Sequence, residues 1–258
     1  MLSDDFRLLN SMCEIEVKGT ESGCSYLPDQ YATMVFRWAL LLSESRYESL
    51  LARGWRRFGN WLFRPACAAC RACQSLRVRI PEFRPSRSQR RVRTQNSELT
   101  VTIHSPSVTE EHLALHNDYH RDMHHRRQWP VRELTREQYT ETFLDGDFSF
   151  SREFQYRHRG RLVGLGLVDM TPNAMSSIYF VHAPEYRDAA LGTFSLLTEL
   201  AEGRTTGRQW LYLGYYIRDC RSMNYKNRFR PHQILQEYVS DEEEPDWRSP
   251  VSPDQWHE

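Results

Sequence analysis

The sequence predicts an α+β protein, a basic cysteine-containing N-terminal α/β region followed by a core of strands crossed by one helix. Three observations predict it. Apolar residues make up 40% of the 258 residues, enough for a real core. Residues 55–73 have the Gly, Pro and Cys usage of a loop or short hairpin. From Phe150 onward the pattern reads strand, strand, strand, helix, strand.

The elements follow in order. Residues 1–28 read as an irregular lead-in carrying Cys13 and Cys24. Pro28-Asp29 opens a helical pattern of Met34, Val35, Trp38, Leu41 and Leu42 that runs to Ala52 and is closed by Gly54. Leu76 to Ile80 alternates apolar and basic residues, as a half-exposed strand does. Ser86 to Asn96 is strongly basic, a helix or an extended arm. His112, His116, His120 and His124 recur every four residues, which places them on one helix face. Four such rings can in principle hold a metal, but no acid is placed to complete a site, and a polar, partly exposed face is the plainer reading. Phe154 to Arg159 and Arg161 to Met170 form a hairpin turning at Arg159-Gly160. Ser176 to His182 is a strand, Leu191 to Ala201 a helix, and Trp210 to Ile217 a strand.

The 258 residues fit one large domain or two small ones. Three divisions are expected: a cysteine-rich basic region at 1–100, the strand-rich domain at 101–238, and an acidic tail at 239–258 that reads as disordered. The formal net charge is zero, yet the balance is uneven. Arg53 to Arg93 holds twelve Arg against one acid, Glu82, whereas Ser240 to Glu258 holds seven acids against Arg248. Local charge is what a polyanion feels. No run of eighteen apolar residues spans a membrane. The start, MLSDDFRLLN, lacks the basic, then apolar, pattern of a signal peptide. A cytoplasmic protein is expected, so its six cysteines read as thiols or metal ligands rather than disulfides.

Cys67, Cys70 and Cys73 form a C-x-x-C-x-x-C run. Three thiols at that spacing can converge on one ion, with Cys24 as the fourth ligand, in a site suited to zinc or an iron–sulfur cluster. Reduced structural cysteines without a metal are the alternative. Cys13 and Cys220 read as ordinary thiols.

Tyr179-Phe180-Val181-His182-Ala183-Pro184-Glu185-Tyr186-Arg187, followed by Leu191-Gly192-Thr193, resembles the strand, turn and helix of the Gcn5-related acyltransferase fold. In that fold, amides at the helix start cradle the coenzyme A pyrophosphate. Ala189-Ala190-Leu191-Gly192 supplies one Gly where the usual loop has two small residues in G-x-G/A spacing. The fold resemblance is therefore stronger than the coenzyme A resemblance. The same geometry suits another activated acyl group, the ester of an aminoacyl-tRNA, and the basic first half then has a polyanion to bind.

Across residues 22–236 the chain resembles the arginyl/leucyl-tRNA–protein transferases. The resemblance is carried by Cys24-Ser25-Tyr26-Leu27-Pro28, by Gly54-Trp55-Arg56-Arg57-Phe58-Gly59 and Arg64-Pro65 before the cysteine triplet, and by Ser86-Arg87-Ser88-Gln89-Arg90-Arg91. Leu191-Gly192-Thr193, Leu211 to Ile217, and Met223-Asn224-Tyr225-Lys226-Asn227-Arg228-Phe229 complete it. Ala190 stands where that family usually has Ser. Length and the triplet are most similar to the bacterial branch, the aspartate/glutamate leucyltransferases. The resemblance implies transfer of Leu from charged tRNA to proteins with N-terminal Asp or Glu, marking them for degradation. Arg as the donated residue and coenzyme A-dependent N-acetylation are the alternatives, and a zinc module binding RNA is a third.

The reaction implied is aminolysis of an ester, and it requires no cofactor. Asp169 and Tyr179, on adjacent predicted strands, are the candidates for handling the amine; strand-end and core roles are the alternatives. Arg87, with Ser86 and Gln89 flanking it, and Arg90 and Arg91 are candidates for the acceptor carboxylate, with Lys226 and Arg228 behind them. Phosphate binding by the same arginines is equally open. Tyr215, Tyr216 and Trp55 are candidates for stacking on the 3′-terminal adenine, against core packing.

Overall fold

The structure, a computed structural model, describes residues 14–250 apart from residue 132. Cys13, expected to be an ordinary thiol, lies outside the described residues. In chain order the strands are β1 (Glu14–Lys18), β2 (Ser22–Gly23), β3 (Tyr31–Ala32), β4 (Met34–Ala39), β5 (Arg56–Phe58), β6 (Trp61–Pro65) and β7 (Gln74–Arg79). They continue with β8 (Thr100–His104), β9 (Ser151–His158), β10 (Arg161–Met170), β11 (Ala174–His182), β12 (Trp210–Tyr216), β13 (His232–Leu235) and β14 (Trp247–Arg248). The helices are α1 (Glu44–Ala52), α2 (Arg87–Gln95), α3 (Glu110–Arg127), the single turn α4 (Arg136–Tyr139) running into a π turn at Thr140–Leu144, and α5 (Leu191–Thr205). Among the described residues no helix is long and apolar enough to cross a membrane.

The chain forms two compact units, one of residues up to Arg79 together with those from Tyr212 on, the other Ile80–Leu211. These boundaries differ from the expected divisions at 100 and 238, because the chain returns to the first unit after β11 and α5.

In the first unit β1, β4, β6 and β5 make an antiparallel sheet in that order. The single helix expected over Pro28 to Ala52 is instead β4 and α1. Met34, Phe36 and Trp38 alternate with Val35, Arg37 and Ala39, so the pleat places Phe36 between Val17 and Phe63 and Trp38 between Ile15 and Trp61. Helix begins only at Ser43, whose hydroxyl caps the Arg46 amide. β5 and β6 are the short hairpin, turning at Gly59, whose φ is +50°. Trp55 is fully buried between two guanidinium groups, with Arg37 at 4.4 Å and Arg64 at 4.5 Å from its centroid.

The expected disordered tail is ordered through residue 250. The Asp241 carboxylate accepts from Arg37 at 2.8 Å and Arg46 at 2.6 Å. Trp247 Nε1 donates to the Ala52 carbonyl at 2.8 Å, and β14 pairs with β13. One acid of that run, Asp241, pairs with half-buried arginines, while Glu242, Glu243, Glu244 and Asp246 stay exposed.

In the second unit β11, β10, β9 and β8 form an antiparallel sheet in that order. The β9–β10 hairpin turns at Arg159 and Gly160, both at positive φ (+50° and +85°), the two-residue turn expected. α3 packs on β10 and β11, and α5 packs on β11. The strand order ending in a strand–turn–helix gives the α+β, Gcn5-related acyltransferase-like core.

Candidate active site

The acyltransferase-like turn lies wholly in the second unit. β11 leads into a 3₁₀ turn at Pro184–Ala189 and then into α5. Ala190 closes the turn in the left-handed region (φ +53°), and no side chain caps α5. Alanine brings no hydroxyl to the first-turn amides, so the helix start keeps its positive end open. A Cβ added at Gly192 would meet nothing within 4 Å, so there is open space over those amides. Asn96 and Gln95, at the end of α2, hold the turn from behind. Asn96 Nδ2 donates to the Ala189 carbonyl at 2.8 Å and Gln95 Nε2 to Asp188 at 3.2 Å.

α2 is thus the basic signature segment, docked beside the α5 start. Arg87, Arg90 and Arg91 are all exposed on it, and their i, i+3, i+4 spacing puts them on one face. Arg90 also donates to the Pro85 carbonyl at 2.7 Å. Gln89 is a correction: it is 6% exposed, and its side chain accepts from the Ser86 amide at 2.8 Å while Ser86 Oγ accepts from the Gln89 amide. Ser86 and Gln89 form the capping box of the helix.

Tyr179, partly exposed on β11, hydrogen-bonds His120 Nε2 through its hydroxyl. Asp169, on β10, is 1% exposed and accepts from Ser151 Oγ at 3.0 Å. The histidine face of α3 is also a correction, because His112, His116 and His120 are 1%, 2% and 3% exposed. The signal was present in the sequence: Met123 lies three residues after His120 and seven after His116, on the same helical stripe, and it too is buried. Histidine spacing was read as polarity when the apolar residue sharing it marked an inward face.

The remaining candidates fall in the first unit. Cys24, Cys67, Cys70 and Cys73 all line a cavity of about 430 Å³ floored by Met34, Phe36, Phe63 and Pro65. Three thiols and a remote fourth are therefore brought to one cavity, as the spacing suggested. The ligand set itself is not formed: among the described residues no three His, Cys, Asp or Glu are placed to hold a metal ion. Cys67 Sγ meets the Thr33 carbonyl at 3.7 Å, and burial followed by the neighbouring thiols pushes Cys73 up to about 12. Cys220 is buried against Ser222 Oγ at 3.2 Å.

Tyr215 lines the same cavity, but its hydroxyl donates to the Phe63 carbonyl at 3.0 Å and it is 5% exposed. Tyr216 and Trp55 are core residues, so a stacking surface for adenine is not found on these three rings. Lys226 is likewise corrected as a substrate contact: it is 7% exposed and its ammonium donates to the Tyr215 carbonyl at 2.6 Å. Arg228, at the end of a 3₁₀ turn, is exposed.

An open helix start with a basic helix fixed beside it sits on an acyltransferase-like core, and likeness to known proteins makes the chain an aminoacyltransferase. The family described as arginine-tRNA-protein transferase matches the chain in both its parts, the N terminus over residues 22–91 and the C terminus over residues 111–236. A protein of Campylobacter jejuni named aspartate/glutamate leucyltransferase is 35% identical over 224 residues, covering 87% of this chain and 94% of the relative. One of the same name from Aeromonas hydrophila is 40% identical over 213 residues, covering 82% and 88%. The crystal structure of FemX superposes with a TM-score of 0.51 at 8% identity, covering 90% of this chain and 89% of that one, a likeness of fold alone. The chain belongs to the arginine-tRNA-protein transferase family.

Proposed function

We propose that the protein moves leucine from Leu-tRNA to the N-terminal Asp or Glu of acceptor proteins, so marking them for degradation through the N-terminus. The observation that carries the reading is α2: three exposed arginines on one face, fixed by Asn96 and Gln95 to the turn before the uncapped α5. A helix start and guanidinium groups together suit consecutive phosphates, as at the 3′ end of a tRNA. The shared name of the Campylobacter and Aeromonas relatives supports leucine and acidic acceptors.

The chemistry asks little beyond positioning. An α-amine with a pKa of roughly 7.7–8.0 is partly neutral near pH 7, and the ester is already activated. The enzyme holds the amine against the carbonyl and takes up its proton. Tyr179 is the group that meets the amine; Asp169 lies buried on the next strand, where it accepts from Ser151 Oγ. Arg90 and Arg91 bind phosphate. Arg87, exposed in the first turn of α2, takes the acceptor carboxylate. A charge-assisted hydrogen bond of roughly 1.5–3 kcal/mol is what separates Asp from Asn, which shape cannot do. The four cysteines line the first unit's cavity, and a zinc ion or iron–sulfur cluster there would need the thiols to converge further. No step of the transfer is assigned to it.

The test is purified protein with Asp-, Glu- and Asn-started peptides, supplied in separate tubes with Leu-tRNA, Arg-tRNA or acetyl-coenzyme A, and read by mass. The expected product is one leucyl addition to the Asp and Glu peptides only. Addition of Arg alone would reassign the donor, and acetylation without tRNA would overturn the reading.

A further inference from the structure

Three buried histidines on α3 have different partners. His112 Nδ1 meets the Ser107 carbonyl at 3.2 Å. His116 Nδ1 hydrogen-bonds Asn117 Oδ1 at 3.0 Å, and Asn117 in turn bonds both the amide and the carbonyl of Leu134, tying down the chain after α3. Both are anchors of the fold. His120 instead reaches a partly exposed side chain on the strand that feeds the α5 turn, through the bond from its Nε2 to the Tyr179 hydroxyl.

The rings around that bond are packed in place. The His120 and Tyr179 rings lie nearly coplanar, 6.1 Å apart at 11°, end to end across the bond. His116 backs His120 at 4.4 Å, and Phe143 lies on Tyr179 at 5.2 Å and 26°. The phenol oxygen therefore has one orientation. A neutral imidazole has one N–H and one acceptor nitrogen; with Nε2 accepting, the Tyr179 hydroxyl donates. Burial pulls His116 below the usual imidazole range, so the ring behind His120 is uncharged at neutral pH.

We propose that His120 is a positioning residue for Tyr179 and that the pair carries the proton of the aminolysis. This rests on the transfer reaction proposed above. The acceptor nitrogen forms its bond to the ester carbonyl carbon. Its proton passes to the Tyr179 oxygen as the Tyr179 proton passes to His120 Nε2. The adduct then breaks its bond to the ribose oxygen, which takes the proton back through Tyr179. Both side chains end as they began, and no further reactant is needed.

The experiment is a double-mutant cycle on the full chain: Tyr179→Phe, His120→Gln and both together, with kcat and KM for an Asp-started peptide measured separately. Tyr179→Phe keeps the ring stack and removes one oxygen; it should lower kcat by about 10²-fold or more. His120→Gln still accepts a hydrogen bond but cannot hold a proton, and should lower kcat at least ~10-fold with KM unchanged. In the Tyr179→Phe background it should add nothing, because there is no hydroxyl left to act through. Equal factors in the two backgrounds would make His120 an independent packing residue and overturn the proposal. Undiminished kcat in Tyr179→Phe, whose fold is least disturbed, would overturn it even if the His120 variant failed to fold. A wild type that transfers Arg rather than Leu would refute the leucine reading, and the same cycle run with Arg-tRNA would still decide the pair.

Discussion

Replacing Arg87, Arg90 and Arg91 together by Ala should flatten the salt dependence of tRNA binding. The three side chains are exposed on one face of α2. The capping bonds between Ser86 and Gln89 and the anchors from Asn96 and Gln95 lie elsewhere on the helix, so the fold should survive. Alanine is also the better helix former. Each phosphate neutralised contributes about 0.7–0.9 to the slope of log K against log salt. Arg90 and Arg91 are the two phosphate contacts, so their loss lowers that slope by about 1.4–1.8. Between about 50 and 200 mM salt, the wild type should then lose roughly 7- to 12-fold more affinity than the variant, and a slope change worth three contacts would make Arg87 a phosphate ligand as well. Filter binding of charged tRNA over a salt series measures this directly, and thermal melts check the fold. An unchanged slope with an intact fold would mean that the phosphates lie elsewhere and that α2 is a solvated surface. Arg87→Ala alone divides its two roles. Loss of the Asp-over-Asn preference at little cost to tRNA binding supports the acceptor role, whereas uniformly weaker tRNA binding makes it a phosphate contact.

Three further outcomes follow from the geometry. Burial would raise the Asp241 carboxyl, but hydrogen bonds from Arg37 and Arg46 outweigh it and hold it below the usual range; this stability is present above the unfolded value of about 3.9 and fades as pH falls through the folded one. Asp241→Asn should therefore lower the melting midpoint at neutral pH, with the gap to wild type closing in acid; a constant gap would assign the loss to packing. Burial, reinforced by Arg56, pulls Lys226 down to about 7, so the unfolded chain holds its proton over a range where the folded one does not. Stability should rise with pH between about 7 and 10, and urea melts of Lys226→Met should lack that rise. Finally, Gly54→Ala and Gly192→Ala should behave oppositely. At Gly54 φ is +84° and a Cβ would sit 2.3 Å from the Tyr238 ring, which should cost about 2 kcal/mol or more in a urea melt. At Gly192 stability should hold while transfer falls, because the new methyl enters the space over the α5 amides.

Local chemistry was legible wherever it decided the structure by itself. Arg159-Gly160 specified its turn, and the run from Ser176 to Ala201 specified strand, turn and helix to within a few residues. Met34 to Ala39 was misread because a short aromatic stretch fits both helical and strand periods; pairing with β1 and β6 decides between them, and neither partner is near in sequence. The tail was misread for a related reason. Acidic composition says nothing of whether half-buried arginines await one of the acids, and Arg37 and Arg46 lie about two hundred residues upstream of Asp241.

The candidate site shows the same division between residue type and placement. Arginine in the Ser86–Arg91 signature was visible as charge, but Gln89 looked like a polar contact until the helix start made it a cap. The cysteine spacing pointed to convergence on one ion; the four thiols do share one cavity, but among the described residues they form no ligand set. His120 lay hidden in its own regularity: a four-residue repeat tells which helix face is shared, and only packing tells what that face meets. Tyr179 was a candidate because it sits on β11. What raises it above the other candidates is that a buried imidazole fixes its one oxygen while Phe143 lies on its ring and His116 packs at its side. A strand tyrosine that merely packed would need no hydrogen-bond partner inside the protein for its hydroxyl, because its partly exposed position already gives it water.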